Sequence, residues 1–353
     1  MFFSPDPKDG RVAQREVRPR NLIPVRGSGA FRATMRFLTY DELTPSMEMD
    51  RTLIHLASFG GAFPRRSVDL WRRRTRLLAE YVGVFAVERG RLIGQTFVLR
   101  IPYTFPGGTE VVSAIAAVGT RPDRGRAGVA RSILTDIHRR EHEAGVRFST
   151  LWTNRSWGAH GLYEKLGYRD VYSSPWAVHA PSPRPPKRHP GIRPARANDL
   201  PAIEQLHSRA AQGRLGFLRK EPGYLATAAA AGELDPAKEL VVVRSGSRVS
   251  GYAQVDSTPY RTICGEMVAT SMAARRALMG EVERRARKTP YAFQHTPVTD
   301  DLSLFRSGGF TLVNTTWYGF MANALGRSWS APSARSQFAT TDPRFLCMAG
   351  DRF

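Results

Sequence analysis

AAVGTRPDRGRAGVARSIL, residues 116–134, is the stretch on which the reading of this chain turns. A small, apolar, strand-like segment passes through Pro122 into a turn rich in glycine and arginine, and the turn opens an amphipathic helix. A helix start preceded by small residues presents backbone N–H groups without intrahelical partners together with the positive end of the helix dipole, which suits a phosphate or pyrophosphate. Gly125, Ala127 and Gly128 let a ligand approach the backbone, and Arg124 and Arg126 add charge. The stretch has neither the Gly-Lys-Ser/Thr of a Walker loop nor the GxGxxG of a dinucleotide site. By itself it is also what an ordinary strand-to-helix turn looks like.

Working outward, Val129, Ile133, Leu134 and Ile137 share one face of a helix predicted over 128–143, with charged residues on the other. Upstream, RATMRFLT reads as a strand, the segments around 47–57 and 68–81 as helices, and VGVFAVE with RLIGQTFVLRIPY as a hairpin turning at Arg89-Gly90. EVVSAIAAVGT then reads as a buried strand. Downstream come a strand, RFSTLWT, a short helix over 158–166 and a final strand pair over 168–178. After PSPRPPKRHPG (181–191), whose prolines fit neither a helix nor a central strand, the same element order returns. Both halves close on one phrase, GLYEKLGY at 161–168 and SLFRSGGF at 303–310, with Phe305 where the first copy has Tyr163. An internal duplication follows. The expected fold is α/β with a mixed sheet in two tandem domains: a basic arm over 1–30, a first domain over 31–180, a linker over 181–190, a second domain over 191–325 and a tail over 326–353.

The bulk properties fit that division. A chain of 353 residues suits two cores better than one, and 42% apolar residues can fill them. The N-terminus carries proline and charges where a secretory signal needs an apolar run, so the expected location is cytoplasmic, and no stretch reaches membrane-spanning length. Cys264 and Cys347 are too few for a disulfide framework and lack zinc-site spacing. A net charge of +21 favours anionic partners such as nucleotides, nucleic acid or acidic surfaces, although the basic residues are spread along the chain. His138-Arg139-Arg140-Glu141-His142 fits the H-x-x-E-H zinc pattern, but it reads as a solvated helix face without a third ligand, and no metal is expected.

With VGTRPDRGRAGVA followed further on by LYEKLGY, the first half resembles the GNAT superfamily of N-acetyltransferases. The approach FPGGTEVVSAIAAVGTRP and the tandem arrangement are similar to the enhanced-intracellular-survival type of that family. The family's acyl-CoA loop runs Gln/Arg-x-x-Gly-x-Gly/Ala before a helix. Gly128 and Ala130 match its last two fixed positions, while Gly125 stands where the family has Gln or Arg. The resemblance implies acetyl-CoA as cosubstrate, the strand backbone of Val118, Gly119 and Thr120 along its pantetheine, and the helix start at Gly128 and Val129 at its pyrophosphate. Ser156 takes the place of an asparagine frequent in the family. Tyr163 would be the general acid for the departing thiolate, a role chemically open to a phenol of pKa about 10 beside a thiol of about 8.5. In the enhanced-intracellular-survival type a C-terminal Phe carboxylate enters the active site as a base, which makes Phe353 a candidate. Glu110, at the start of the CoA-pairing strand, and His160, one helical turn before Tyr163, are further candidates for the base. The second copy lacks the glycine-rich turn, reading VATSMAARRAL, and is expected to be a silent, degenerate version.

The implied activity is transfer of an acetyl group from acetyl-CoA to a primary amine, on a small molecule or peptide. The basic charge points to an amine carried on an acidic molecule or peptide rather than a polycation. The alternative is a non-catalytic protein that senses acyl-CoA and binds nucleic acid. No membrane partner is expected, and homo-oligomerisation is left open.

Overall fold

The computed structural model describes residues 35–182, 184, 186–217, 220–259, 261–287, 291–295 and 302–347. The first half contributes β1 (Arg36–Leu38), α1 (Pro45–Phe59), α2 (Arg65–Arg74), β2 (Leu78–Glu88), β3 (Arg91–Phe105), β4 (Gly108–Thr120), α3 (Val129–Glu143), β5 (Phe148–Asn154), α4 (Gly158–Lys165) and β6 (Arg169–His179). The second contributes β7 (Ile192–Pro194), α5 (Leu200–Ala211), β8 (Leu215–Phe217), α6 (Tyr224–Ala230), α7 (Pro236–Glu239), β9 (Leu240–Ser245), β10 (Arg248–Ser257), β11 (Arg261–Ala269), α8 (Met272–Ala286), β12 (Tyr291–His295), α9 (Leu302–Ser307) and β13 (Thr311–Ala324). The tail adds α10 (Ala331–Gln337) and β14 (Phe345–Leu346).

Local chemistry sets these elements. Thr44 caps α1 by accepting from the Met47 amide, Pro45 occupies its first turn, and Gly60 ends it in the left-handed conformation at φ 70°. Arg89 and Gly90, both at positive φ, make the tight turn between β2 and β3. The helix expected over 68–81 instead stops at Arg74. Thr75 is extended, and from Leu78 the chain joins the sheet, where Val82, Val84, Phe85 and Ala86 are buried on both of its faces.

The strands form one continuous sheet in the order β1-β2-β3-β4-β5-β13-β6-β12-β11-β10-β9-β7, with β8 joined to the end of β3 and β14 to β8. The halves exchange their last strands. β13 of the second half lies between β5 and β6 of the first, pairing antiparallel with both, and β6 in turn pairs with β12 of the second. Along this order the sheet therefore passes between the halves three times, at β5–β13, β13–β6 and β6–β12.

The described part of the tail, as far as Cys347, packs against both halves. Phe338 and Leu346 are buried in a cluster with Tyr103 and Phe148 of the first half and Phe217 and Phe320 of the second. The Phe338 ring stands edge-on to Tyr103 at 4.9 Å and to Phe148 at 5.3 Å, and Tyr103 donates its hydroxyl hydrogen to the Phe338 carbonyl. Two more apolar clusters cover the opposite faces of the first half's sheet, one beneath α3 and one beneath α1 and α2.

Candidate active site

β4 and β5 pair in parallel only at Ser113↔Ser149 and Ala114↔Thr150. Beyond these two rungs the strands part, although β4 runs on to Thr120 and β5 to Asn154. β5 stays bonded on its other side to β13 over its whole length, and β4 to β3, so a wedge opens between two fixed walls. Within the wedge β4 carries a bulge. Its register against β3 slips between Gln95↔Gly119 and Phe97↔Ala116, and Ala117 sits at φ 52°, a conformation an alanine adopts at a cost. Ala116, Ala117 and Val118 are partly exposed there, unlike the buried residues before them.

The chain leaves β4 through a short 3-10 turn at Pro122–Arg124 and enters α3 at Gly128, which is left-handed at φ 81° and caps the helix without a side-chain hydrogen bond. The first helical bond runs from the Ser132 amide to the Gly128 carbonyl, so the amides of Val129, Ala130 and Arg131 precede the ladder and stay available. A β-carbon added at Gly128 would meet nothing within 4 Å. Gly94 is what lets α3 lie on the sheet, since a β-carbon there would come within 2.6 Å of the Val129 side chain.

The charged candidates divide. Arg126, at φ 63°, is exposed beside the helix start and makes no ion pair among the described residues. Arg124 is already paired with Glu88, and Arg121 with Asp123. Gly125 ends the 3-10 turn with ordinary angles, and Gly119 serves packing, because a β-carbon there would meet Ile54 and Ser58 of α1 at 2.9 Å. Ala127 donates its amide to the Arg124 carbonyl at 3.3 Å, and Thr120 pairs with Gly94 at the end of the strand.

Tyr163 lies in the apolar cluster that draws Ile115 from β4, Val129 and Ile133 from α3 and Leu151 from β5. These are the walls of the wedge. Burial pushes its phenol above the ordinary range, so the hydroxyl keeps its proton. Its ring is edge-on to Tyr168 at 5.8 Å. Ser156 lies in the turn between β5 and α4, where both its amide and its hydroxyl donate to Asn154 Oδ1. His160 contacts Asp170 Oδ2 at 3.1 Å, and Arg155 holds the other oxygen of the same carboxylate at 3.0 Å.

Glu110 is not brought to this site. It stands at the opposite end of β4 in an exposed ion pair with Arg147, nine residues before Gly119 and so about 30 Å away along an extended strand. Phe353 lies outside the described residues; the tail is described as far as Cys347, just after β14, which reaches the sheet through β8 at the Tyr103 end of β3. The His138–His142 pair also differs from the expected solvated face. His138 turns inward to the Tyr168 hydroxyl at 2.8 Å, and buried Glu141 accepts from the Tyr81 hydroxyl at 2.6 Å and pairs with Arg100. Among the described residues no three His, Cys, Asp or Glu side chains form a metal-binding group.

Sequence reasoning missed the bulge at Ala117, since no motif marks a left-handed alanine, and the α1 face of the wedge. There His55 is stacked with Phe63 and tilted against Phe59, and it touches Gln95 Nε2 at 3.2 Å. Outside α1 a cleft of about 480 Å³ lined by Leu53, Ile54, Leu56, Ala57, Arg121 and Pro122 adjoins the loop.

The second half shows the contrast. At the matching turn, α8 is capped by Ser271, whose side chain accepts from the Ala274 amide and so occupies a group that α3 leaves open. No helix among the described residues is long and apolar enough to cross a membrane.

Comparison with known proteins agrees with this geometry. Residues 40–171 match the family model described as an acetyltransferase (GNAT) domain. A search of curated proteins finds no match. Among solved structures, the chain resembles a GCN5-related N-acetyltransferase from Kribbella flavida at TM-score 0.59 and 16% identity, over 84% of this chain and 73% of that one. A probable N-acyltransferase from Enterococcus faecalis V583 aligns at TM-score 0.62 and 13% identity, over 86% and 74%. Eis1 from Mycobacterium abscessus aligns at TM-score 0.51 and 17% identity, over 83% and 74%. At such identities the likeness is one of fold, and it extends across both halves. The family match shows that residues 40–171 form an acetyltransferase (GNAT) domain, and the rest of the chain shares with the solved structures a likeness of fold.

Proposed function

We propose that the chain is an acyl-CoA-dependent N-acetyltransferase that moves an acetyl group from acetyl-CoA to a primary amine within the first domain. The observation that carries this reading is the convergence, on one wedge, of a parted strand pair, an uncapped helix start and a buried phenol. The amides of Val129, Ala130 and Arg131 hold the pyrophosphate at the positive end of α3, with Arg126 adding charge. The β4 backbone from Ala117 to Thr120 lines the pantetheine arm, and its strained bulge aims an amide toward the thioester carbonyl. In the transfer the amine nitrogen bonds to the acetyl carbon, the carbon–sulfur bond breaks, the thiolate takes a proton from Tyr163, and the proton that the amine loses passes to solvent, from which the phenol is restored. Ser271 closes the equivalent position in the second half, so one acetyl-CoA binds per chain.

The test is calorimetric titration of acetyl-CoA into the wild type and into Gly128→Glu and Gly128→Ala. Both substitutions share the cost of a side chain at positive φ, but only glutamate puts a carboxylate into the anion site. One site in the wild type, weakened by alanine and lost with glutamate, is the expected result. Equal effects of the two substitutions, or two sites per chain, would contradict the assignment.

A further inference from the structure

On the α1 face of the wedge two fully buried polar side chains each leave one atom without a hydrogen-bond partner: Gln95 Oε1 on β3 and Arg51 Nη1 on α1. Native interiors rarely leave such atoms unpaired, and each is a group that a ligand can satisfy. The rest of both side chains is held. Arg51 Nε is bound to Glu48 at 2.8 Å, Nη2 donates to the Phe63 carbonyl at 2.6 Å, and the guanidinium lies 5.6 Å from the centre of the Phe97 ring. Gln95 Nε2, which can only donate, is 3.2 Å from His55 Nδ1. The imidazole proton therefore rests on Nε2.

The register places the pair. Gln95 is opposite Gly119 and Phe97 is opposite Ala116, so Gln95 and the ring beneath Arg51 flank the bulge at Ala117 from the same face of β3. Arg51 and His55, four residues apart, share the inner face of α1. Burial and the neighbouring Arg51 push the His55 pKa down to about 4, so the imidazole is neutral at physiological pH and does not repel a protonated amine.

We propose that this face binds the acceptor, and that the acceptor is a primary amine with an anionic group on the same small molecule: Gln95 Oε1 accepts from the amine, and Arg51 Nη1 donates to a carboxylate or phosphate oxygen. His55 is a positioning residue that fixes the Gln95 carboxamide. Phe63, whose carbonyl already serves Arg51, shifts to admit the ligand. The proposal rests on the acetyltransferase reading above and names its substrate class.

The experiment measures thiol release from acetyl-CoA with two matched pairs of amines. L-Phenylalanine against 2-phenylethylamine tests a carboxylate, and O-phosphoethanolamine against ethanolamine tests a phosphate. The anionic member of at least one pair should be favoured by roughly tenfold or more in kcat/KM, and Arg51→Met should bring that ratio near one. Gln95→Leu, close in volume and free of the unpaired atom, should fold normally and bind acetyl-CoA as the wild type does. It should lower kcat/KM for both members of the pair by roughly tenfold. Acetylation by the wild type without preference for the anionic member, or unchanged kinetics in Gln95→Leu, would overturn the acceptor site and leave the acetyltransferase reading intact. A wild type that fails to bind acetyl-CoA would overturn both.

Discussion

Tyr163 and Phe305 occupy the same station in two copies of one turn. In the first copy the Tyr168 amide returns to the Tyr163 carbonyl at 3.1 Å past a left-handed Gly167, and in the second the Phe310 amide returns to Phe305 at 2.9 Å past a left-handed Gly309. The ring pairs match as well, edge-on at 5.8 Å and 68° against 5.4 Å and 78°. The turn therefore already accepts phenylalanine at this position, and Tyr163→Phe should preserve folding and acetyl-CoA affinity. On the proposed mechanism, loss of the Tyr163 hydroxyl as general acid should lower kcat by about 10²–10⁴-fold. Steady-state kinetics alongside calorimetry separate the two effects; an unchanged kcat would remove Tyr163 from the proton transfer.

Much of this was legible in the sequence, and what escaped has physical reasons. The strand–turn–helix at 116–134 and the repeated closing phrase are local, since glycine and apolar spacing set them within a few residues. The exchange of β6 and β13 is not local. It depends on which backbone edge meets which across more than a hundred residues, and strands of either half could pair with either partner by composition. His138 is a second case. It stands one residue from Ile137, at the border of the apolar face, and only the position of Tyr168 turns it inward. Glu110 lies far from the loop for a simpler reason, since a strand carries its ends far apart.

The strand exchange predicts how the chain divides. Residues 31–180 alone would lack β13, leaving β5 and β6 unpaired toward each other at the core of the sheet. This fragment should show no cooperative thermal unfolding, whereas co-expression with residues 191–347 should restore it. Cooperative melting of the isolated first half would show that it closes its sheet without its partner.

The tail is a structural element of both halves. Phe338 is fully buried among Tyr103, Phe105, Phe148 and Phe320, so Phe338→Ala should cost about 3–5 kcal/mol through lost contacts and a cavity. Denaturant unfolding followed by circular dichroism measures this, and a loss below about 1 kcal/mol would mean that the tail is peripheral to the fold.

His138 gives the fold a pH dependence whose sign can be stated in advance. Burial lowers its pKa from 6.5 to about 4, so between those values the unfolded chain takes up a proton that the folded one does not. Stability is therefore highest above about pH 6.5 and declines as the pH falls toward 4, the opposite of a histidine stabilised by an acidic partner. The Tyr168 hydroxyl lies 2.8 Å from His138 Nε2 and 2.7 Å from the Ser149 hydroxyl, and a carboxamide in place of the imidazole keeps a polar group beside it without titrating. His138→Gln should accordingly flatten the decline in melting temperature between pH 7 and pH 5, even if it lowers stability at pH 7. His55 shifts in the same direction, so some decline should persist in the single variant and shrink further when His55 is also replaced by Gln. If His138→Gln melts with the same pH slope as the wild type, the acid sensitivity arises from groups other than this buried imidazole.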